Sequence, residues 1–166
     1  SSIPGAVVDL GEVFVGGVDR SYEMPDLEDR AQVAFQRFTL LRAEIPFRAV
    51  SREGSLAVTL YWLGQEMMDQ SYTVFVHLIN QEGIVVAGHD GPPAEGRRPT
   101  TSWLPGEVVA DRHEIALGAD MSAGRYALVA GVYRSDLPGY PRLPIVSSLA
   151  ETRDGSVVLG EIEVVP

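Results

Sequence analysis

The side chains that could perform acid–base or nucleophilic chemistry in this chain are few. Its three histidines are His77, His89 and His113, and all 13 basic residues are arginine, with no lysine and no cysteine. The lack of cysteine excludes disulfides, thiolate nucleophiles and thiolate-bound metals. The lack of lysine excludes Schiff-base chemistry and the lysine of a phosphate-binding P-loop. Chemistry, if any, must therefore come from histidine, carboxylate or hydroxyl groups.

Each histidine also has an ordinary structural interpretation. His77 lies within an apolar run, which favours a packed residue over a general base. His113 begins a predicted strand, and no second histidine follows it at zincin spacing. The sequence also has no Gly-x-Ser-x-Gly motif of a hydrolase nucleophile. We therefore predict that the chain has no catalytic residues and is not an enzyme, with a small hydrolase using His89 or His113 as the least favoured alternative.

The neighbours His89 and Asp90 form the most site-like pair, because they end a predicted strand beside a long irregular connection. The alternative is that Asp90 caps backbone N–H groups of a turn. Asp90, Glu95 and Asp111 could offer oxygens to Ca²⁺. However, no Asp-x-Asp-x-Asp run supplies the roughly six to eight ligands that this ion takes. We therefore predict no metal site and no cofactor.

The connection from His89 to Asp111 holds the best candidate for a binding site. Trp103 follows a run of hydroxyl residues at 100–102, and two arginines precede them at 97 and 98. An aromatic ring can stack on the apolar face of a pyranose, while hydroxyl and guanidinium groups bond the sugar hydroxyls. Irregular loops longer than about 15 residues are uncommon and often functional. Saccharide binding is thus one interpretation. The other is that Trp103 folds back to plug the end of the domain.

Tyr140 is a second exposed-aromatic candidate, since it lies in the sequence Leu137-Pro-Gly-Tyr-Pro141. A plain turn is the alternative, because proline and glycine are common turn residues. The predicted ligand-binding residues are Trp103, Thr101, Arg97, Arg98, His89, Asp90 and Tyr140.

The elements that must position these residues are predicted to be β-strands. Short runs rich in β-branched and aromatic residues are separated by Gly, Pro and Asp about every eight to twelve residues, as in sandwiches and barrels. Only Pro25–Gln32 suggests a short helix, with Pro at its start and acids in its first turn. The predicted strands are Ala6–Val15, Gln32–Arg42, Ser55–Leu63, Tyr72–Asn80, Ile84–His89, Asp111–Leu117, Arg125–Arg134, Arg142–Val146 and Ser156–Val165.

Alternation along the strands indicates which faces are buried. In Ser55–Leu63, Trp62 shares the face of three aliphatic residues, which indicates a core position. Tyr72–Asn80 is apolar on both faces and is predicted to be central in its sheet. The loop that follows ends in Gly83, a hairpin signal, because glycine adopts the left-handed conformation without a Cβ clash.

Tyr126 is the most diagnostic residue for the fold. It follows a predicted turn by two residues, like the tyrosine of Greek-key sandwiches that bonds its hydroxyl to nearby backbone at a corner. We predict a single all-β domain over residues 1–166, an antiparallel Ig-like or jelly-roll sandwich of about eight or nine strands. Residues 1–50 would contribute an N-terminal strand and an acidic loop.

Charge and termini bear on the partners. The formal net charge of −10 disfavours nucleic acid and anionic membranes, which both need a basic surface. The acids between Asp19 and Asp29 are interpreted as a solvated loop. No apolar run approaches the roughly 18 residues of a membrane span, so we predict no direct membrane insertion. The chain starts abruptly at Ser1 without an initiator methionine, so we expect a piece of a longer protein with a neighbouring domain, and the lack of a visible signal peptide carries little weight.

Five blocks of the sequence look familiar together: Gly54–Trp62, Asp69–Leu78, Gly83–Asp90, Pro99–Glu107 and Gly124–Tyr133. They resemble a β-sandwich module found at the extracytoplasmic C-terminal end of bacterial polytopic membrane proteins. Those proteins are similar to mannosyltransferases that use lipid-linked sugars, and the resemblance covers roughly Ser51 to the end. The resemblance implies the β-sandwich fold and an extracytoplasmic location. Together with the loop around Trp103, it gives the first hypothesis, a non-catalytic accessory module of an extracytoplasmic glycan-handling protein that binds saccharide. The alternative is a structural or protein-contacting module without a small ligand.

Overall fold

The computed structural model describes residues 18–25 and 30–166, and these contain eleven β-strands. Two short 3₁₀ turns, Pro93–Gly96 and Thr100–Ser102, lie in the long connection between the sixth and seventh strands. The strands are β1 (Arg30–Ala34), β2 (Phe38–Glu44), β3 (Ala49–Ser51), β4 (Ser55–Gly64), β5 (Thr73–Ile79), β6 (Val85–Gly91), β7 (Val108–Ala116), β8 (Gly124–Tyr133), β9 (Ser147–Ser148), β10 (Thr152–Arg153) and β11 (Ser156–Val165).

The strands form two sheets. The first has the order β7-β4-β2-β1-β9, and the second has the order β10-β11-β8-β5-β6, with β3 also pairing with β11. Every pair is antiparallel except β3 with β11, which is parallel. The predicted β-sandwich is confirmed. The extra strands beyond the predicted eight or nine are the short β3, β9 and β10, each too brief to show alternation.

The two sheets enclose one apolar core, as the alternating pattern predicts. On β4 the inward side chains include Trp62, which is fully buried, and on β5 they are Val74, Val76 and Leu78. Strand β5 lies between β8 and β6, which confirms its predicted central position. The hairpin from β5 to β6 is also confirmed, with Gly83 at φ 81°.

Two strand predictions are wrong. The predicted strand Gln32–Arg42 is a hairpin of β1 and β2, closed by the Phe35 N–H donating to the Phe38 carbonyl. Its loop contains no Gly, Pro, Asn or Asp, so no turn signal was available. Arg142–Val146 is not a strand, although Arg142 forms a bridge with Tyr133. Pro144 has no N–H to donate to a ladder, which explains the interruption.

Two further predictions fall wholly or partly outside the described residues. The predicted strand Ala6–Val15 lies entirely outside the described residues. The predicted helix Pro25–Gln32 lies there at 26–29, but its last part belongs to β1, which begins at Arg30. Tertiary pairing with β2 therefore replaces helical propensity at these residues. Within the described ranges, no helix has the length and apolar character needed to cross a bilayer.

The two ends of the sandwich are built differently. The upper end carries Gly64, Gly91 and Tyr133, and it is closed by a cluster of Phe35, Phe38, Trp62 and Trp103 whose ring centroids lie 5.2–6.2 Å apart. The lower end carries Leu117 and Gly124. There Tyr126 donates its hydroxyl to the Ser122 carbonyl at 2.6 Å, which confirms the predicted corner tyrosine.

Candidate functional site

A polar and aromatic cluster lies at the upper end of the second sheet, on the face that points away from the core. Register places Asp90 of β6 opposite Phe75 of β5, and Tyr133 of β8 opposite Thr73. Because side chains alternate along a strand, these residues share the outer face with His77. We call His77, Asp90, Tyr133 and Tyr140 the tyrosine platform.

Asp90 is the hydrogen-bonding centre of the tyrosine platform. Its Oδ1 accepts from His77 Nε2 at 2.7 Å, and its Oδ2 accepts the hydroxyl of Tyr133 at 2.9 Å. The Asp90 side chain keeps 38% of its surface exposed. Burial, followed by the hydrogen bond and negative charge of Asp90, raises the pKa of Tyr133 to about 12. Tyr133 therefore remains a neutral hydrogen-bond donor at physiological pH.

Two glycines allow rings to lie flat on the sheet beneath the platform. A Cβ on Gly88 would come within 2.5 Å of the His77 ring, and one on Gly131 would come within 2.4 Å of the Phe75 ring. Such distances are far below van der Waals contact, so any larger residue would lift these rings. The glycines thus set the position of His77 beside Asp90.

Tyr140 is the most exposed member of the platform. Its side chain is 62% exposed, and its ring centroid lies 5.8 Å from that of Tyr133. Its backbone has φ 47° and follows Gly139 at φ 77° in a turn closed by the Tyr140 N–H and the Leu137 carbonyl. The left-handed region is rare for a bulky residue, so this ring is held outward at a conformational cost.

Two arginines border the platform, and both are already engaged. Arg142 lies over the Phe75 ring, with 4.4 Å between the guanidinium carbon and the ring centroid, and it donates to the Asp154 carbonyl. Arg134 donates to Asp136 and Gln70. The hydrogen bond with Asp136 raises the pKa of Arg134 and lowers that of Asp136.

Trp103 is not available as a stacking surface. It is fully buried, its Nε1 donates to the Arg98 carbonyl at 2.9 Å, and it packs in the cluster that closes the upper end. The interpretation as a plug is confirmed, and the prediction of Trp103 as a ligand-binding residue is wrong. The physical reason is that its indole fills the gap between the sheets where the long connection crosses their ends.

The other predicted residues of this connection do not gather around one point. Thr101 is exposed, and Arg97 is exposed and paired with Glu95 at 3.0 Å. Arg98 points to Glu107, at 2.5 Å. Among the seven predicted ligand-binding residues, only Asp90 and Tyr140 lie in one exposed cluster, where Tyr133 contacts both.

Glu107 is a buried anchor rather than a ligand group. Its carboxylate is fully enclosed and accepts from Arg20 at 2.7 Å, from Arg98 and from the Leu104 N–H. Burial by itself raises the pKa of Glu107. The Leu104 hydrogen bond and the two guanidinium groups outweigh burial and hold the pKa below its usual range.

His89 and Asp90 lie on opposite faces of β6, so the predicted pair is not one site. His89 points inward, where its Nδ1 lies 2.9 Å from Nδ1 of His113. His113 Nε2 donates to Asp111 at 2.8 Å, and Asp111 also accepts from Trp62 and from the Ala94 N–H. Asp111 and His113 are almost completely buried. This chain links the open edges of the two sheets.

Two other kinds of site are not supported. Within residues 18–25 and 30–166, no three His, Asp or Glu side chains are arranged to hold a metal ion. Shallow depressions of about 280 to 390 Å³ lie around Tyr126 at the lower end. Tyr126 lines all three depressions, and its hydroxyl is already engaged with the Ser122 carbonyl at the corner. We therefore assign Tyr126 a structural role.

The residues that sequence reasoning missed are His77 and Tyr133. His77 was interpreted as a packed residue, and the Tyr133 side chain was not assigned to any site. A signal did exist, since alternation places His77, Asp90 and Tyr133 on one face once the pairing of three strands is known. That pairing is a long-range property that a single sequence does not give.

The chain is similar to solved structures in fold. The C-terminal domain of wzt aligns over 93% of this chain and 90% of that chain, with a TM-score of 0.55 and 13% identity. A CARDB domain from Pyrococcus furiosus, solved in complex with di-metal ions, aligns over 90% of this chain and 99% of that chain, with a TM-score of 0.40 and 12% identity. No family model and no curated protein matches the sequence. At this identity the wzt likeness shows the β-sandwich fold alone.

Proposed function

We propose that this β-sandwich is a non-catalytic accessory module that binds saccharide on the tyrosine platform. The observation that carries the proposal is Tyr140, an exposed ring held beside Tyr133 and the partly exposed carboxylate of Asp90. An aromatic face buries the C–H face of a pyranose, and a neighbouring carboxylate accepts from its hydroxyls. The binding surface is thus the outer face of the second sheet instead of the loop around Trp103.

The setting of the module follows from the sequence resemblance. We place it on the extracytoplasmic side, as part of a glycan-handling protein similar to the mannosyltransferases that use lipid-linked sugars. A non-catalytic role is supported by the enclosure of His113 and Asp111, whose described hydrogen-bonding partners, besides each other, are Trp62, His89 and the Ala94 N–H. A general acid or base would have to reach the substrate directly or through one water.

The test is binding of neutral oligosaccharides and polysaccharides to the wild type and to Tyr140→Ala, by isothermal titration calorimetry and affinity electrophoresis. We expect Tyr140→Ala to lose about tenfold or more in affinity, the equivalent of roughly 1.4 kcal/mol. Tyr22→Ala is the matched control, because Tyr22 is 55% exposed elsewhere. Trp103→Phe should keep its affinity. No binding by the wild type, or equal binding by Tyr140→Ala, would overturn the proposal.

A second candidate function is docking of a protein through β6. Strand β6 is the last strand of its sheet, and Ile84, Val85 and Val86 beside its start are exposed. An open strand edge with apolar side chains can pair with an added strand. If β6 is a docking edge, Val85→Lys should abolish association with the rest of the parent protein, because a charge on a strand edge disfavours pairing with an added strand. The same variant should leave saccharide binding unchanged.

A further inference from the structure

Around Asp90, the tyrosine platform offers hydrogen-bond acceptors to a ligand, and this restricts the ligands that can bind there. Both Asp90 oxygens accept one bond from the protein, one from His77 and one from Tyr133. A carboxylate has about four acceptor sites, so roughly two remain on Asp90. With 38% of its side chain exposed, Asp90 can offer these acceptor sites to a ligand.

The two side chains bonded to Asp90, His77 and Tyr133, add an acceptor and no free donor. The Tyr133 hydroxyl already donates its hydrogen bond to Asp90, so its oxygen can only accept from a ligand. His77 directs Nε2–H at Asp90, and its Nδ1 is buried. The polar edge beside the two rings is therefore made of acceptors with one full negative charge.

The nearby positive charges do not reverse this character. Arg142 is stacked on Phe75 and bonded to the Asp154 carbonyl, and Arg134 is paired with Asp136. The chain as a whole carries a formal charge of −10. A ligand that reaches Asp90 must bring its own donors, and a negative ligand would meet a like charge there.

Resting on the proposed function, we infer that the platform is selective for neutral sugars with free adjacent hydroxyls and rejects acidic sugars, with Asp90 as the specificity-determining residue. Two neighbouring hydroxyls can donate together to the two oxygens of one carboxylate, whereas a uronic acid brings a second carboxylate close to Asp90. Rejection then comes from like-charge repulsion and from unpaired acceptors.

The test compares neutral glycans (mannan, galactan, dextran) with acidic ones (polygalacturonate, alginate) by affinity electrophoresis. Methyl hexosides and the matching methyl uronosides, which differ only at C6, serve as competitors. We expect the acidic ligands to bind at least tenfold more weakly, with a difference that shrinks as salt rises. Asp90→Asn should weaken neutral binding and remove most of the discrimination. Tyr133→Phe, which keeps the ring and the carboxylate, should weaken neutral binding but retain the discrimination.

The outcomes separate this inference from the proposed function. If no glycan of either class binds, the proposed function fails and the inference fails with it. If glycans bind but the acidic class binds as well as the neutral class, only the inference is overturned. The inference is also overturned if Asp90→Asn leaves the ratio of neutral to acidic glycan affinity unchanged. The same follows if Arg142→Gln loses binding of acidic glycans. Circular dichroism and the melting temperature confirm that each variant is folded.

Discussion

At the scale of single residues, the pairing of Tyr133 with Asp90 defines the candidate site. A phenol that donates to a carboxylate keeps its proton, because the carboxylate gains a bond from the neutral form and repels the phenolate. The same contact fixes both side chains on the outer face, next to the exposed ring of Tyr140. A ligand would therefore meet a preorganised polar edge.

The first prediction concerns the ionisation of Tyr133. Its pKa is raised to about 12 by burial and by Asp90, against about 10 in the unfolded chain. Its contribution to stability is present below about pH 10 and is lost as the pH rises from about 10 to about 12. In an ultraviolet titration of phenolate, Tyr133→Phe should remove a late component, and Asp90→Asn should move that component to lower pH. Tyr22→Phe is the control. Loss of an early component in Tyr133→Phe would contradict this assignment.

Several residue assignments could be made from the sequence, and others could not. Trp62 and Tyr126 were identified correctly because alternation and a local turn determine their positions. Trp103 had two interpretations, since its burial depends on how the long connection crosses the end of both sheets. His89 and Asp90 looked like a pair because they are adjacent in sequence. In a strand, however, adjacency places side chains on opposite faces.

At the scale of elements, β6 connects the core to the candidate site. Its inward side chains include His89, which contacts His113 of the other sheet, and its outward side chain Asp90 belongs to the platform. Two residues before Asp90, on the same outer face, Gly88 leaves room for the His77 ring. One short strand thus closes the edge of the sandwich and positions the carboxylate of the candidate site.

The second prediction uses this strand. Gly88→Ala places a methyl group within 2.5 Å of the His77 ring and should move His77 away from Asp90. We expect a loss of stability of about 1–3 kcal/mol, as in overpacked sites, and at least a fivefold loss of neutral-glycan affinity. Gly91→Ala is the matched control, because its Cβ would meet only His89, at an ordinary 3.6 Å. Urea unfolding and calorimetry measure the two effects. Equal behaviour of the two variants would contradict the role given to Gly88.

Strands could be predicted from the sequence where their local pattern was clear. The long strands β4, β5, β8 and β11 carry clear alternation and were predicted within one or two residues. The hairpin of β1 and β2 was missed because residues 35–37 turn without a turn residue. The order of strands, which assembles the platform from β5, β6 and β8, depends on contacts far apart in the chain.

At the scale of the whole molecule, Glu107 joins segments that are distant in sequence. It holds Arg20 from the segment 18–25 and Arg98 from the long connection, and the Ser21 carbonyl bonds the adjacent Val108 N–H. A buried carboxylate with two guanidinium partners is costly to disrupt, because either charge would be left unpaired. The described N-terminal segment is thus attached to the sandwich by charge.

The third prediction follows from this anchor. Glu107→Gln should lower the free energy of unfolding at pH 7 by about 2–3 kcal/mol. Because the pKa of Glu107 is lowered from 4.5, its contribution is present above about pH 4.5 and is lost as the pH falls through the folded-state pKa. The variant and the wild type should therefore converge in acid. Urea unfolding at several pH values, followed by tryptophan fluorescence, measures this.

The exposed Glu66 supplies the control for that experiment. Glu66→Gln should change the unfolding free energy by less than about 0.5 kcal/mol at any pH, as is usual for surface substitutions. A Glu107→Gln variant with the same difference from the wild type at pH 7 and in acid would show that Glu107 does not act through its charge.

The anchor at Val108 and the last strand lie at opposite ends of the sandwich, which has a mechanical consequence. Ser21 is bridged to Val108 at the upper end, while Val165 of β11 pairs with Ser51 at the lower end. Tension applied between Ser21 and Val165 would run lengthwise along the strands. It would load the β11–β8 ladder in shear, so that many hydrogen bonds must break together instead of unzipping one by one. A module with this geometry would transmit force before it unravels.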